Sequence, residues 1–214
     1  MATIKERIAS ALSSDDTKQQ GRDYLQTIRE NLRLSNTTFA SRATLLLIAA
    51  VSFALLADAA VGEVTLFGVK VNNLAIVQKL IPIVVAYTYY SLFAIMAYRR
   101  LLNEVHDEIM RISFPEFYAQ NLEFYCYPPS PFHIERIISS ETTGRLSSAL
   151  NTLNDPLVFA IGVGPALFEV YAFITCFRTF GGLDVVVWIS LVASTSFIIQ
   201  AFLLVVGINR LVPS

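Results

Sequence analysis

Polar and apolar residues alternate along this chain in long blocks. A polar, charged stretch over Met1–Asn36 gives way to an apolar run at 43–61. A second apolar run begins at Leu74, reaches Ala97, and passes without a breaker into Tyr98-Arg-Arg-Leu-Leu-Asn-Glu-Val-His-Asp-Glu-Ile-Met-Arg111. In that extension Leu101, Leu102, Val105, Ile109 and Ile112 recur at the spacing of one helix face, with charges between them. Nothing from Ile83 to Ser113 obliges a helix to stop, so a single helix is expected over 74–112. At about 1.5 Å per residue it is roughly 55–60 Å long. Two more apolar runs occupy 156–177 and 184–208. Each of the four runs comes close to the ~20 residues that a bilayer core demands of a helix. The predicted fold class is an all-α integral membrane protein with four transmembrane helices, at about 43–61, 74–98, 156–177 and 184–208.

The stretches between the spans carry their own signals. Ile4, Ile8 and Leu12 mark a short amphipathic helix, and Ser13-Ser14-Asp15-Asp16 reads as a stop followed by an N-cap. A second amphipathic helix runs to about Leu34, with Leu25, Ile28 and Leu32 on one face. Such helices either pack on their own protein or lie on the membrane surface. The mixture of acids and bases on the polar face weakens the second reading. Thr37 or Thr38 is expected to cap the first span. Val64–Val71 is rich in β-formers around a central glycine, which predicts a small extracytoplasmic hairpin. Pro115 ends the long helix. Short helices are expected at 131–140 and 144–153, Asn154-Asp155-Pro156 reads as the start of the third span, and Gly181-Gly182 as an external turn. The domains are then cytoplasmic helices at 1–36, a transmembrane hairpin at 37–98, a cytoplasmic insert at 99–155, and a second hairpin at 156–214.

Composition and charge refine this picture. Apolar residues make up 54% of the 214, and mean hydropathy is +0.54. Thirteen lysines and arginines fall in the N-terminal stretch, the central insert and the tail, against three (Lys70, Lys79 and Arg178) in the intervening parts. The positive-inside rule therefore puts both termini and the insert in the cytoplasm, as in a protein of the bacterial inner membrane. The N-terminal stretch lacks the apolar core of a cleavable signal peptide. A net charge of −1 argues against nucleic-acid binding. Cys126 and Cys176 are expected on opposite sides of the membrane, so no disulfide is predicted.

Candidate chemistry is sparse. No phosphate loop, GxSxG, HExxH or CxxC is present, and His106 and His133 are the only histidines. No enzyme activity, metal or cofactor is expected. The intramembrane polar residues carry more information. Glu169 lies within the third span, where an ionisable side chain should face protein or water. Gly162, Gly164 and Pro165 precede it and invite a kink. Candidate partners are Tyr87, Tyr90 and Ser91 of the second span or Ser190 and Ser194 of the fourth. Ser190, Ser194 and Gln200 suit a close helix–helix contact, within one copy or between copies. In the insert, Phe117, Tyr118, Phe124, Tyr125 and Tyr127 with Arg136 read either as a small core pinning the insert or as a docking surface for a protein partner.

This plan of four spans, cytoplasmic termini, helical insert and no catalytic motif is similar to membrane subunits of bacterial multi-component systems, anti-phage defence systems such as Kiwa among them. Two functions are expected from these features. The first is a non-enzymatic homo-oligomer, set at a tetramer, that senses or responds at the lipid bilayer and signals to a soluble cytoplasmic protein partner. The alternative is an ion channel or membrane-permeabilising effector with Glu169 on the pathway.

Overall fold

The computed structural model describes residues 4–12, 15–58, 64–66, 69–71, 74–120, 122, 126–128 and 145–211; for 15–18, 64–66, 69–71, 145–161 and 211 it describes the backbone. The chain is overwhelmingly helical. Its elements are α1 (Ile4–Ala11), α2 (Asp15–Ala57), β1 (Val64–Leu66), β2 (Val69–Val71), α3 (Leu74–Ser113), α4 (Pro115–Ala119), α5 (Arg145–Phe180) and α6 (Val185–Leu211). The two short strands pair antiparallel, Val64 opposite Val71 and Leu66 opposite Val69.

Among the described residues, three helices are long and apolar enough to cross a membrane: α2 over Gln19–Ala57, α3, and α6 over Val185–Arg210. α3 runs from Leu74 to Ser113 as the apolar-to-amphipathic pattern predicts, carrying Pro82 without a break. It stops where Pro115 opens α4.

Two predicted boundaries are absent. No helix break separates Leu34 from the first span, because α2 is continuous from Asp15 to Ala57. Thr37 and Thr38 do not cap anything. Their hydroxyls donate to the Leu34 carbonyl at 2.9 Å each, and Ser35 donates to the Leu32 carbonyl at 2.8 Å. These residues satisfy themselves on their own helix, the alternative open to hydroxyl side chains within a helix. Likewise α5 begins at Arg145 and passes through Pro156. The proline forfeits one rung of the ladder there without ending the helix. The helix expected at 131–140 lies outside the described residues.

The chain forms two compact units. The first comprises Met1–Phe39, Ile95–Pro156 and Leu204–Ser214; the second comprises Ala40–Ala94 and Leu157–Leu203. In the first, Leu25, Ile28 and Leu32 of α2 pack with Leu102, Ile109 and Met110 of α3, with Leu12 and Tyr127 closing the cluster. The amphipathic stripes of two helices thus bury each other, and the N-terminal helices pack on their own protein. Gly21 leaves room for Leu12: a Cβ there would sit 2.9 Å from Leu12 Cδ2. Lys5 pairs with Glu104 at 3.0 Å. That hydrogen bond, and then the carboxylate's charge, holds the Lys5 ammonium above its ordinary value. Arg100 donates to Asn209 Oδ1 at 2.5 Å, tying the end of α6 to α3. In the second unit, Ala49 and Phe53 of α2, Ile81 and Val85 of α3, Ala172, Phe173 and Cys176 of α5 and Val187 of α6 form the core.

Candidate functional site

In the second unit α5 and α6 bury polar side chains beside the apolar core and expose large apolar ones. Along α5 the buried positions include Glu169, Ala172, Phe173 and Cys176, a helical repeat of three and four. The exposed positions between them are Leu167, Val170, Tyr171 and Ile174. Along α6 the buried face is Val187, Ser190, Ser194 and Ala201, while Ile189, Val192, Ile199 and Leu203 point outward. A water-soluble bundle would reverse this arrangement. Small and polar side chains inside, with large apolar ones outside, are the pattern of helices packing in lipid.

Glu169 is the ionisable member of that interior. It is 3% exposed. The α6 face it meets presents Ser194, whose hydroxyl lies close enough to act on the carboxyl group. In this packing the two stop short of hydrogen-bond geometry: among the described residues neither carboxylate oxygen, nor Ser190 Oγ, nor Ser194 Oγ has a partner. Of the partners that sequence offered for Glu169, Ser194 of α6 lies beside its carboxyl group. Tyr87 is 45% exposed and its ring stands edge-on to Phe197, with centroids 5.5 Å apart. Tyr90 also stacks near Phe197, at 6.0 Å.

Tyr87, Tyr89 and Tyr90 each call for a hydroxyl partner by their place in the apolar run, and Tyr89 is the one that is buried. It is 1% exposed, and its hydroxyl donates to the Gly162 carbonyl at 2.5 Å. α3 thereby grips α5 three residues before Pro165. Buried tyrosine hydroxyls require a partner, and the Pro165 ring disturbs this turn of the helix. Gly162 and Gly164 are not packing notches, because a Cβ at either would meet nothing within 4 Å. α5 stays helical through all three kink candidates.

At one end of the same unit, Lys79 Nζ lies 2.5 Å from Asp184 Oδ2 and 4.4 Å from the centre of the Phe180 ring. Asp184 Oδ1 accepts from the backbone N–H of Val186 and Val187, at 3.0 and 3.2 Å, and so caps α6. Gly181 adopts a φ of 85°, the left-handed conformation that the predicted glycine turn requires.

The expected docking residues separate. Phe117 is 52% exposed on α4. Tyr118 packs partly against the first unit's core. Tyr127 lies inside that core, 7% exposed, stacks on His106 with centroids 4.4 Å apart, and donates to Asp107 Oδ1. It pins the insert and offers no surface. Phe124, Tyr125 and Arg136 lie outside the described residues. Gln200 is also split from its expected partners. It is exposed and donates to Ser196 at 3.3 Å, while Ser190 and Ser194 are fully buried. No group of three or more metal-ligating side chains occurs among the described residues.

Comparison with known protein families, with curated proteins and with solved structures finds no match for the chain.

Proposed function

We propose that the chain is a non-enzymatic, homo-oligomeric subunit of a bacterial inner membrane, which responds at the membrane and couples to a soluble cytoplasmic protein within a multi-component system. The observation that carries this reading is α3. One uninterrupted helix supplies Ile81 and Val85 to the apolar unit's core and Leu102, Ile109 and Met110 to the other core. A helix shared by two cores cannot rotate or slide in one without loading the other, because packed interiors do not deform continuously. α5 serves as the third of four spans; its outward Leu167, Val170 and Ile174 support that assignment. Both termini and the insert then face the cytoplasm, with the β1–β2 hairpin outside.

The docking surface centres on Phe117; the sequence pattern adds Phe124 and Tyr125, which lie outside the described residues. The test is purification of the tagged protein from membranes by gentle extraction. A soluble chain should accompany it in fixed proportion. Replacing Phe117, Phe124 and Tyr125 together by alanine should release that chain and leave the oligomer's mass unchanged. Persistent binding would remove the aromatic segment from the account. The channel reading has less support, since Glu169 in a single chain is packed between helices. Ion flux from liposomes holding the purified protein is its test.

A further inference from the structure

We propose that Glu169 and Ser194 form an intramembrane proton site: Glu169 is held as a neutral carboxylic acid at the α5–α6 contact and gives up its proton when that contact opens to water. Four observations lead to it. The carboxyl group is buried, at 3% exposure, in the interior of an apolar unit. Among the described residues it has no ion pair and no hydrogen-bond partner. Ser194, itself 0% exposed, has an unpartnered hydroxyl beside the carboxyl group, and Ser190, equally buried and unpartnered, lies one turn earlier on α6. The outward face of α5 around Glu169 is Leu167, Val170 and Tyr171, large side chains that meet lipid if α5 spans as proposed.

An ionised carboxylate in such surroundings needs a counter-charge. Among the described residues the neighbouring elements supply none. α2 brings Ala49 and Phe53 to this core, which are not ionisable. α3 brings Tyr89, committed to Gly162, and Lys79, committed to Asp184. α5 itself adds Cys176, two turns along. α6 adds Asp184, paired as above. A neutral acid needs no counter-charge, and its O–H can donate to Ser194 after a small rotation of either side chain.

On release the carboxyl O–H bond breaks, the electron pair stays on Glu169 and the proton passes to water. The charge so created cannot remain in the closed packing, so separation of α5 from α6 and loss of the proton favour each other. The site therefore makes the α5–α6 contact responsive to proton activity and to hydration of the membrane interior. It stands apart from the coupling function proposed above: loss of the protein partner would leave it untouched, and its own failure would leave partner binding intact.

Infrared spectroscopy of the full chain in liposomes, prepared with and without carbon-13 glutamate, tests it. At neutral pH in potassium buffer, one protonated glutamate carbonyl band should move with the label. It should vanish in Glu169→Gln, and in Glu169→Asp should that variant alone fold, since aspartate escapes the label. If labelled glutamate appears only as carboxylate, or the protonated band survives both substitutions, the proposal is overturned. Loss of the band when sodium replaces potassium at constant pH would also overturn it, since the site would then hold a metal cation in the proton's place.

Discussion

The Tyr89 hydroxyl lies 2.5 Å from the Gly162 carbonyl oxygen, a hydrogen bond from α3 to α5 close to the proline of α5. The phenol ring is buried against Phe93, edge to face, at 4.7 Å. Tyr89→Phe should keep the ring packing and lose the donor. The expected cost is about 1 kcal/mol, the usual worth of one such bond in water or lipid. Unfolding of the purified protein in mixed micelles would read it. An unchanged midpoint would mean that the Gly162 carbonyl finds another donor.

Gly164 offers the opposite experiment. It lies inside α5 with open space where a Cβ would go. Gly164→Ala should stabilise the helix by up to about 1 kcal/mol through helix propensity alone. A loss of stability in the same micelle assay would show that the neighbourhood of Pro165 must bend beyond the helical state.

Tyr127 and Phe117 should behave as different kinds of aromatic. Tyr127→Ala removes a core side chain and is expected to cost about 3–5 kcal/mol, as large-to-small aromatic changes do. Phe117→Ala, on an exposed position, should change stability by less than about 0.5 kcal/mol. Proteolysis of the first unit distinguishes them: Tyr127→Ala should expose it, and Phe117→Ala should not. Equal sensitivity in both variants would refute the division of this aromatic segment into anchor and surface.

How far the chain was legible follows from the same residues. The long helix could be read because its apolar run passes into an amphipathic one with no breaker from Ile83 to Ser113. Helix ends were harder. Thr37, Thr38 and Pro156 are end signals in isolation, yet hydroxyls can turn back to Leu34, and a proline can sit in a helix whose other rungs survive. Glu169 announced itself by chemistry, since an acid in an apolar run demands an explanation. Tyr87, Tyr89 and Tyr90 did so as a set, each hydroxyl calling for a partner, and only packing selects Tyr89. Ser190 and Gln200 seemed to belong to one contact. Their rotation about α6 puts one inside and the other outside.

Lys79 and Asp184 should prove unequal partners. Both lose the 2.5 Å ion pair on substitution, but Asp184 also caps α6 through Val186 and Val187. Asp184→Ala should therefore destabilise more than Lys79→Met, with Asp184→Asn in between because its side-chain oxygen can still cap. A double-mutant cycle on thermal midpoints isolates the pair. Equal effects of Lys79→Met and Asp184→Ala would show that the cap contributes nothing.

The outward face of α6 bears on the proposed assembly. Leu191, Val192, Thr195, Ser196, Ile199 and Gln200 line an open groove of about 410 Å³. Thr195, Ser196 and Gln200 are exposed there on an otherwise apolar helix. A polar side chain facing lipid is costly, and interhelical hydrogen bonds across small residues relieve that cost. An amide both donates and accepts, so Gln200 can pair with its own copy about a symmetry axis. If the oligomer forms through this face, Ser196→Cys should cross-link between copies under mild oxidation in the membrane, whereas Leu167→Cys, outward on α5, should not. Gln200→Leu should reduce the oligomer's resistance to detergent without unfolding the monomer. Cross-linking at Leu167 and none at Ser196 would move the interface to α5, and the exposed amide would then need a different partner.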